Sequence, residues 1–460
     1  MLRRLVLVLP VLLGACTVGP DYVRPSAAAG AAWMEPQAPG GVDERWWQGF
    51  GDPQLTALIE QAASGSPDLR AAEARLAQAR AGRDAARGGG RPQGGASGAY
   101  SRVEVSENGQ LPIRRIPGFS RDLSLFDVGF DASWEVDLWG RSRRTIEAAG
   151  ARVEAAEAGR RDTLIRLRAE IARTYFALRA AQARVESARA DAVAVREAAG
   201  LVARRFEAGE ASRLDHDRAE VLARAAAGVI PALEGDEREA AYTLARLLGQ
   251  TPEAAAPALF VRRPLPMPPA ALGVGLRSDV LRRRPDVIQA ERTLAASRAD
   301  IGVATADLFP RVYLSGAVGQ QSRDLGDISL AGSTRFQAGP AFSWPILQRG
   351  SIRANIRAAN ARADAAGAAY EAAVFGALAD SETALNRFAR AGAIEHEAAA
   401  ALDAAQGALA LARQRYEAGE DDLTPVLAAR SAVAEAERRL IDARLGRAAS
   451  AVAVFKALGT

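Results

Sequence analysis

Two stretches of the chain place apolar side chains in alternating steps of three and four. Leu164, Leu167, Ile171, Thr174, Leu178, Ala181, Val185, Ala188, Ala192, Val195, Ala199, Val202 and Phe206 form one such seam. Ile352, Ile356, Ala359, Ala363, Ala366, Tyr370, Val374, Leu378, Ser381, Leu385 and Phe388 form a second, which breaks step once near Val374. A heptad seam sustained this far predicts long helices of coiled-coil type over about 141–206 and 350–417. Neither range holds a proline, and at 1.5 Å per residue each helix would reach about 100 Å. Each ends at a glycine, Gly209 or Gly419, and a shorter helical pattern returns over about 212–249 and 421–457. The expected products are helical hairpins with tight glycine turns.

A second periodicity interrupts the first. Phe126, Val128, Phe130, Ala132, Trp134, Val136 and Leu138 alternate with Asp127, Gly129, Asp131, Ser133, Glu135 and Asp137. Phe336, Ala338, Pro340, Phe342 and Trp344 alternate in the same way with Arg335, Gln337, Gly339, Ala341 and Ser343. Period-2 patterning of this length predicts strands with one oily and one wet face. Weaker strands are expected at about 95–105 and 311–321. Strands of this kind suit a transmembrane barrel, with Trp134, Trp139, Tyr313 and Trp344 as interfacial aromatics. A soluble sheet packed on one face alternates just as cleanly. Four strands cannot enclose a lumen, because the smallest barrels need about eight; a barrel would therefore have to be shared between copies.

The pattern occurs twice. RRFEAGE at 204–210 returns as QRYEAGE at 414–420, and the same offset of 210 carries Trp134 to Trp344 and Leu248-Gly249 to Leu458-Gly459. Pro67-Asp68 returns as Pro285-Asp286 at an offset of 218. A repeat of about 200 residues is too long for a solenoid and indicates two pseudo-symmetric halves. The expected division is a leader at 1–15, a linker and belt segment at 16–66, a first repeat at 67–251, an inter-repeat link at 252–278 and a second repeat at 279–460. The fold class is mainly α: long helical hairpins plus four strands per copy.

Composition narrows the function. The formal net charge is +4, with Arg and Glu interspersed along the helices rather than in blocks, which is the pattern of solvated helix faces and not of a nucleic-acid surface. No run of about 18 apolar residues occurs, so no segment qualifies as a membrane-spanning helix. Residues 1–16, MLRRLVLVLPVLLGAC, have a basic start, a short apolar stretch and small residues before the only cysteine. This is a signal-peptide layout, and Cys16 in that place marks a lipoprotein cleavage and acylation site. An ordinary leader with an incidental cysteine is the alternative. Acylation would anchor the chain at about 0.8 kcal/mol per buried methylene. Thr17 after it is compatible with outer-membrane sorting.

Several motifs in this order resemble the outer-membrane efflux factor family, the TolC-like lipoproteins of tripartite pumps. They are Gly19-Pro20-Asp21-Tyr22, Arg24-Pro25, Trp46-Trp47, Asp52-Pro53, Ser133 through Arg141, Arg284-Pro285-Asp286 with Glu291, and Ser343-Trp344-Pro345. The resemblance covers nearly the whole chain and implies a homotrimer in the outer membrane. In that arrangement a twelve-stranded barrel continues into a periplasmic α-helical tube with an equatorial belt. It also implies a periplasmic adaptor and an inner-membrane RND-type transporter as partners, with small-molecule efflux as the function. A protein-secretion duct, or a lipid-anchored periplasmic scaffold without a pore, are the competing functions. The glycine-rich segment 88–95 at the first strand's entry departs from the more ordinary Leu308-Phe309-Pro310 of the second half.

No enzyme constellation, cofactor motif or metal site emerges. His216 and His396 lie in different halves without cysteine company, and the 88–95 glycines lack the Gly-Lys-Ser/Thr of a phosphate loop. If the hairpin tips form the periplasmic aperture, charged residues beside Gly209 and Gly419 ring it. The resemblance matches Asp421 to a constricting carboxylate ring, with Asp422 beside it, and assigns Arg213 and Tyr416 to contacts that hold the tip shut. Arg205, Phe206, Gly209, Arg415 and Gly419, in the repeated turns, are the expected adaptor-facing residues.

Overall fold

The computed structural model describes residues 17–25, 32–35, 40–106 and 120–460. The leader and Cys16 lie outside the described residues. The chain divides into two units. One takes the described residues within 1–25, 75–156 and 290–370; the other takes those within 26–74, 157–289 and 371–460. Two helices, α3 (Arg141–Glu207) and α9 (Arg349–Glu417), contribute to both. Their bounds lie within a residue of those expected from the heptad seams.

The first unit carries the sheet. Strands β1 (Gln93–Glu104), β2 (Asp122–Val136), β3 (Arg311–Ser322) and β4 (Thr334–Ser343) pair antiparallel in the order β1-β2-β3-β4. The central β2–β3 ladder joins the two halves of the duplication and sets Phe130 opposite Val318; β3–β4 then sets Val318 opposite Phe336. Because side chains alternate faces, this register gathers the oily positions on one side.

Two expectations change. Tyr313 pairs with Glu135, so it belongs to the polar face and not to a lipid-facing aromatic belt. Asp137 leaves the strand pattern, since β2 ends at Val136. Its carboxylate instead accepts the backbone N–H groups of Ser142 and Arg143 at 3.0 Å each, supplying partners that the first turn of α3 lacks.

Residues 17–25 lie against the same unit. The Val18 N–H donates to the Trp139 carbonyl at 3.1 Å. The buried Arg144 guanidinium donates to the carbonyls of Val18 and Gly19 and to Asp21, at 3.2, 3.2 and 2.7 Å. Gly19 has φ +93° and packs on Gly302 so closely that a side chain at 19 would overlap the Gly302 backbone.

The second unit is helical. Its elements are a 3-10 turn at Trp46–Phe50, α1 (Pro53–Gly65), α4 (Arg213–Gly228), α5 (Ile230–Leu247), α6 (Pro252–Leu259), α7 (Arg277–Arg283) and α10 (Thr424–Ala457). Helices α2 (Pro67–Gly89) and α8 (Pro285–Ala306) begin here and end in the first unit. Trp46 stacks on Phe455 with centroids 5.1 Å apart, and Phe50 lies on Phe176 at 4.8 Å. Leu167, Ile171, Leu178, Val185 and Val202 of the expected seam are buried. The return helix expected over 212–249 is two helices that meet at Val229. Pro231, just inside α5, has no N–H to give and its ring clashes with the preceding turn, so a helix crossing this point is broken. The second half has its proline at the start of α10, where it costs nothing.

Candidate functional site

The sheet has the chemistry of a wall between oil and water. On one face Val128, Phe130, Leu314, Val318, Phe336 and Phe342 are exposed, Phe336 and Phe342 by 77% and 75%. Apolar side chains this open over a whole sheet face mark a surface made for lipid or protein. On the other face Asp127 accepts from Gln321 at 2.8 Å and pairs with Arg335 at 2.6 Å. Three tryptophans pin the foot of this wall to the helix–strand junctions. Trp134 donates to the Gly90 carbonyl at 3.2 Å, Trp344 to Leu308 at 3.0 Å and Trp139 to Pro310 at 2.8 Å. The first two bonds are the same bond in the two halves, since their donors differ by 210 positions and their acceptors by 218.

The hairpin tips also repeat. The Glu210 N–H reaches the Arg205 carbonyl at 2.8 Å and the Gly209 N–H reaches Phe206 at 3.0 Å; Glu420 to Arg415 and Gly419 to Tyr416 repeat this at 2.9 and 3.1 Å. Both glycines are left-handed, with φ +77° and +76°, completing the helix-ending motif that favours glycine. Leu248-Gly249 and Leu458-Gly459 close the return helices with the same bonds.

Among the expected tip residues, the structure joins some and separates others. Arg205 donates to the Tyr416 hydroxyl and holds its guanidinium 5.1 Å from that ring's centre, linking the ends of α3 and α9. Arg415 pairs with Asp421 at 3.1 Å and Glu420 at 3.5 Å, all within one turn. Asp422 accepts the Thr424 N–H at 3.0 Å. Arg213 is 84% exposed and only 3.6 Å from Asp217, and takes no part in the Arg205–Tyr416 contact. Phe206 lies against His216 at 5.2 Å. Among the described residues no group of three or more potential metal ligands comes together.

Sequence reasoning missed the polar network beside the Trp46 core. Asp52 caps α1 by accepting from Gln54 and Leu55 at 2.7 and 3.0 Å, and also accepts the Tyr175 hydroxyl at 2.6 Å. Burial and this bond push the Tyr175 hydroxyl up to about 12. Arg179, fully buried, donates to Gln182, Gln54 and the Val261 carbonyl. A charged residue inside the α3 seam region was the available signal. Arg284 bridges Asp286 and Asp380 at 2.6 and 3.2 Å; burial raises the Asp286 carboxyl, but the guanidinium outweighs it and holds the group below its usual range.

An amphipathic sheet with two open edges, joined to helices of 67 and 69 residues, defines the class of outer-membrane channel proteins that continue into the periplasm. The chain belongs to the outer membrane efflux protein family, whose sequence model matches residues 58–250 and 276–460. It is 31% identical over 453 residues to the pyoverdine export outer membrane protein OpmQ of Pseudomonas aeruginosa, covering 98% of this chain and 94% of that one. It is 30% identical over 438 residues to nodulation protein T of Rhizobium leguminosarum bv. trifolii, covering 94% and 91%. The solved outer-membrane channel OprN superposes with a TM-score of 0.89 at 36% identity, covering 96% and 99%. The protein is therefore the outer-membrane channel component of a tripartite efflux pump.

Proposed function

We propose that three copies close one twelve-stranded barrel, β1 of each pairing with β4 of the next, and that the tube passively conducts small molecules. The observation that carries this is the sheet itself. It has four strands, its outermost strands are β1 and β4, and its apolar face is uncovered. Four strands are too few to enclose a lumen, and a buried membrane edge must find a partner. Phe375 and Ile394 on α9, and Val221 and Tyr242 on α4 and α5, are likewise exposed apolar side chains suited to neighbouring copies.

In this reading an adaptor docks on the turns at Arg205, Phe206, Gly209, Arg415 and Gly419, and an inner-membrane RND-type transporter supplies the energy. Cys16 is acylated and holds the chain to the outer membrane. Arg205–Tyr416 ties two hairpin ends within one copy, and Asp421, braced by Arg415, lines the aperture. Docking that favours a state with the tips apart opens the tube. That the relative OpmQ is a pyoverdine export protein supports an organic solute as cargo.

The test is purification in detergent followed by native mass spectrometry and planar-bilayer conductance. A heat-sensitive trimer with small cation-selective currents is expected. A Cys16→Ser protein that is monomeric and soluble without detergent would replace the duct with a lipid-anchored scaffold.

A further inference from the structure

On the second unit's helix layer a cleft of about 620 Å³ opens between α3, the start of α8, α9 and the end of α10. It borders the Trp46 core and shares Ala169, Ala384, Val452 and Ala457 with it. On α10, Ala448, Ala451, Phe455 and Leu458 belong to the core alone, Ala449 and Lys456 to the cleft alone, and Val452, Ala453 and Ala457 touch both. On α3, the core takes Leu167, Ile171 and Leu178, and the cleft takes Asp162, Ile165 and Arg173. The cleft is therefore an open margin of the same helix layer, with its charged residues on the side turned from the core.

Its floor is apolar, chiefly alanine with Ile165 and Val452. Its charges divide into the engaged and the free. Asp286 and Asp380 are both held by Arg284, and Asp162 pairs with Arg166. Arg173 has only Glu170 at 3.9 Å. Among the described residues Arg387 and Lys456 make no ion pair or hydrogen bond, although Lys456 is near enough to Asp162 to favour its ionised form. Lys456 is also the only lysine among 59 lysines and arginines. Its compact, strongly hydrated ammonium on a flexible stem differs from the planar fork used everywhere else in the chain.

We propose that this cleft is a binding subsite for amphipathic organic anions, with the apolar body on the alanine floor and a carboxylate or sulfonate between Lys456 and Arg387. Volume and lining suit a small organic ligand with a few placed polar groups. Its role as a holding point for organic cargo rests on the duct reading above. Binding there is weak by design, since a conducting site must release what it holds.

The single lysine makes the test site-specific. Full-length protein in detergent is treated with an amine-acetylating reagent, and acetylation of the Lys456 peptide is followed by mass spectrometry. The probe is 8-anilinonaphthalene-1-sulfonate; inorganic sulfate and neutral N-phenyl-1-naphthylamine are the controls. The expected result is saturable protection of Lys456 by the anionic probe alone, weakened about fivefold in Arg387→Gln, the scale of one partly solvated ion pair. Absence of protection, equal protection by sulfate, or an unchanged Arg387→Gln midpoint would overturn the subsite. Conductance of the same preparation separates the two readings. A conducting protein without protection loses the subsite and keeps the duct, whereas protection in a non-conducting trimer keeps the anion site and removes the duct.

Discussion

If the tips gate the tube as proposed, replacing Tyr416 by alanine should loosen their closed state. The side chain supplies two contacts to Arg205, a ring 5.1 Å from the guanidinium and a hydroxyl that accepts its N–H. Arg205 is exposed and Tyr416 half-buried, so both contacts compete with water. A cation–π contact in such a place contributes about 0.5–1 kcal/mol, and the solvated hydrogen bond about 0.5 kcal/mol. One latch is then worth about 1 kcal/mol. Three in a symmetric trimer give about 3 kcal/mol, or roughly 150-fold in the closed-to-open ratio. Tyr416→Phe keeps the ring and loses the bond, so it should produce roughly a tenfold change. Asp421→Ala tests a different element, because the Arg415–Asp421 pair lies within one turn and does not span the two hairpins. The assay is open probability in planar bilayers, at about 0.1 M and about 1 M salt. Raising the salt shortens the screening length from about 10 Å to about 3 Å and should shrink the Tyr416 effect. Folded Tyr416→Ala trimers with wild-type open probability at low salt would refute the latch, all the more if Asp421→Ala opened the channel.

Three further outcomes are expected. Asp52→Ala removes the α1 cap and leaves the Tyr175 hydroxyl without its acceptor, so denaturant titration should show a loss of about 2–4 kcal/mol; a loss under about 0.5 kcal/mol would contradict that accounting. Gly19→Ala forces a side chain into the Gly302 backbone at a left-handed position, and should free residues 17–25 to proteolysis while the helical unit stays folded; unchanged protease resistance would count against the clamp. Tyr22 and Tyr175 are pushed up to about 12 by burial and by their bonds to Glu291 and Asp52. The native state thus holds their protons more tightly than the unfolded chain does. This contribution is complete below about pH 10 and is lost as pH rises through about 12. Ultraviolet titration should show two late tyrosines, with one removed in Tyr175→Phe.

Much of the architecture was legible because it is periodic. The heptad seams placed α3 and α9 to within a residue, and alternation placed β2 and β4, because backbone geometry alone decides which neighbours share a face. The duplicated turns were legible for a related reason: only glycine takes the left-handed position without cost, so Gly209 and Gly419 show where the long helices stop. Errors arose where a local pattern met a second demand. Asp137 fits the wet face of a strand, but α3 needed an acceptor at its start. Tyr313 looked like a belt aromatic until the ladder set it opposite Glu135. The single return helix expected over about 212–249 gave no weight to Pro231.

By itself the sequence determined the two halves, the long helices, their turns, the oily and wet faces of the strands, and the outer-membrane family. Tertiary structure alone decided that β2 pairs with β3 across the halves, that Arg205 meets Tyr416 rather than Asp421, and that Arg144 grips residues 18–21. It alone brought the single lysine to an apolar cleft. Periodicity is a property of a few consecutive residues, and any reader of the chain can count it. A contact between residues 211 positions apart depends on which helix faces which, and that is settled only when all the seams pack at once.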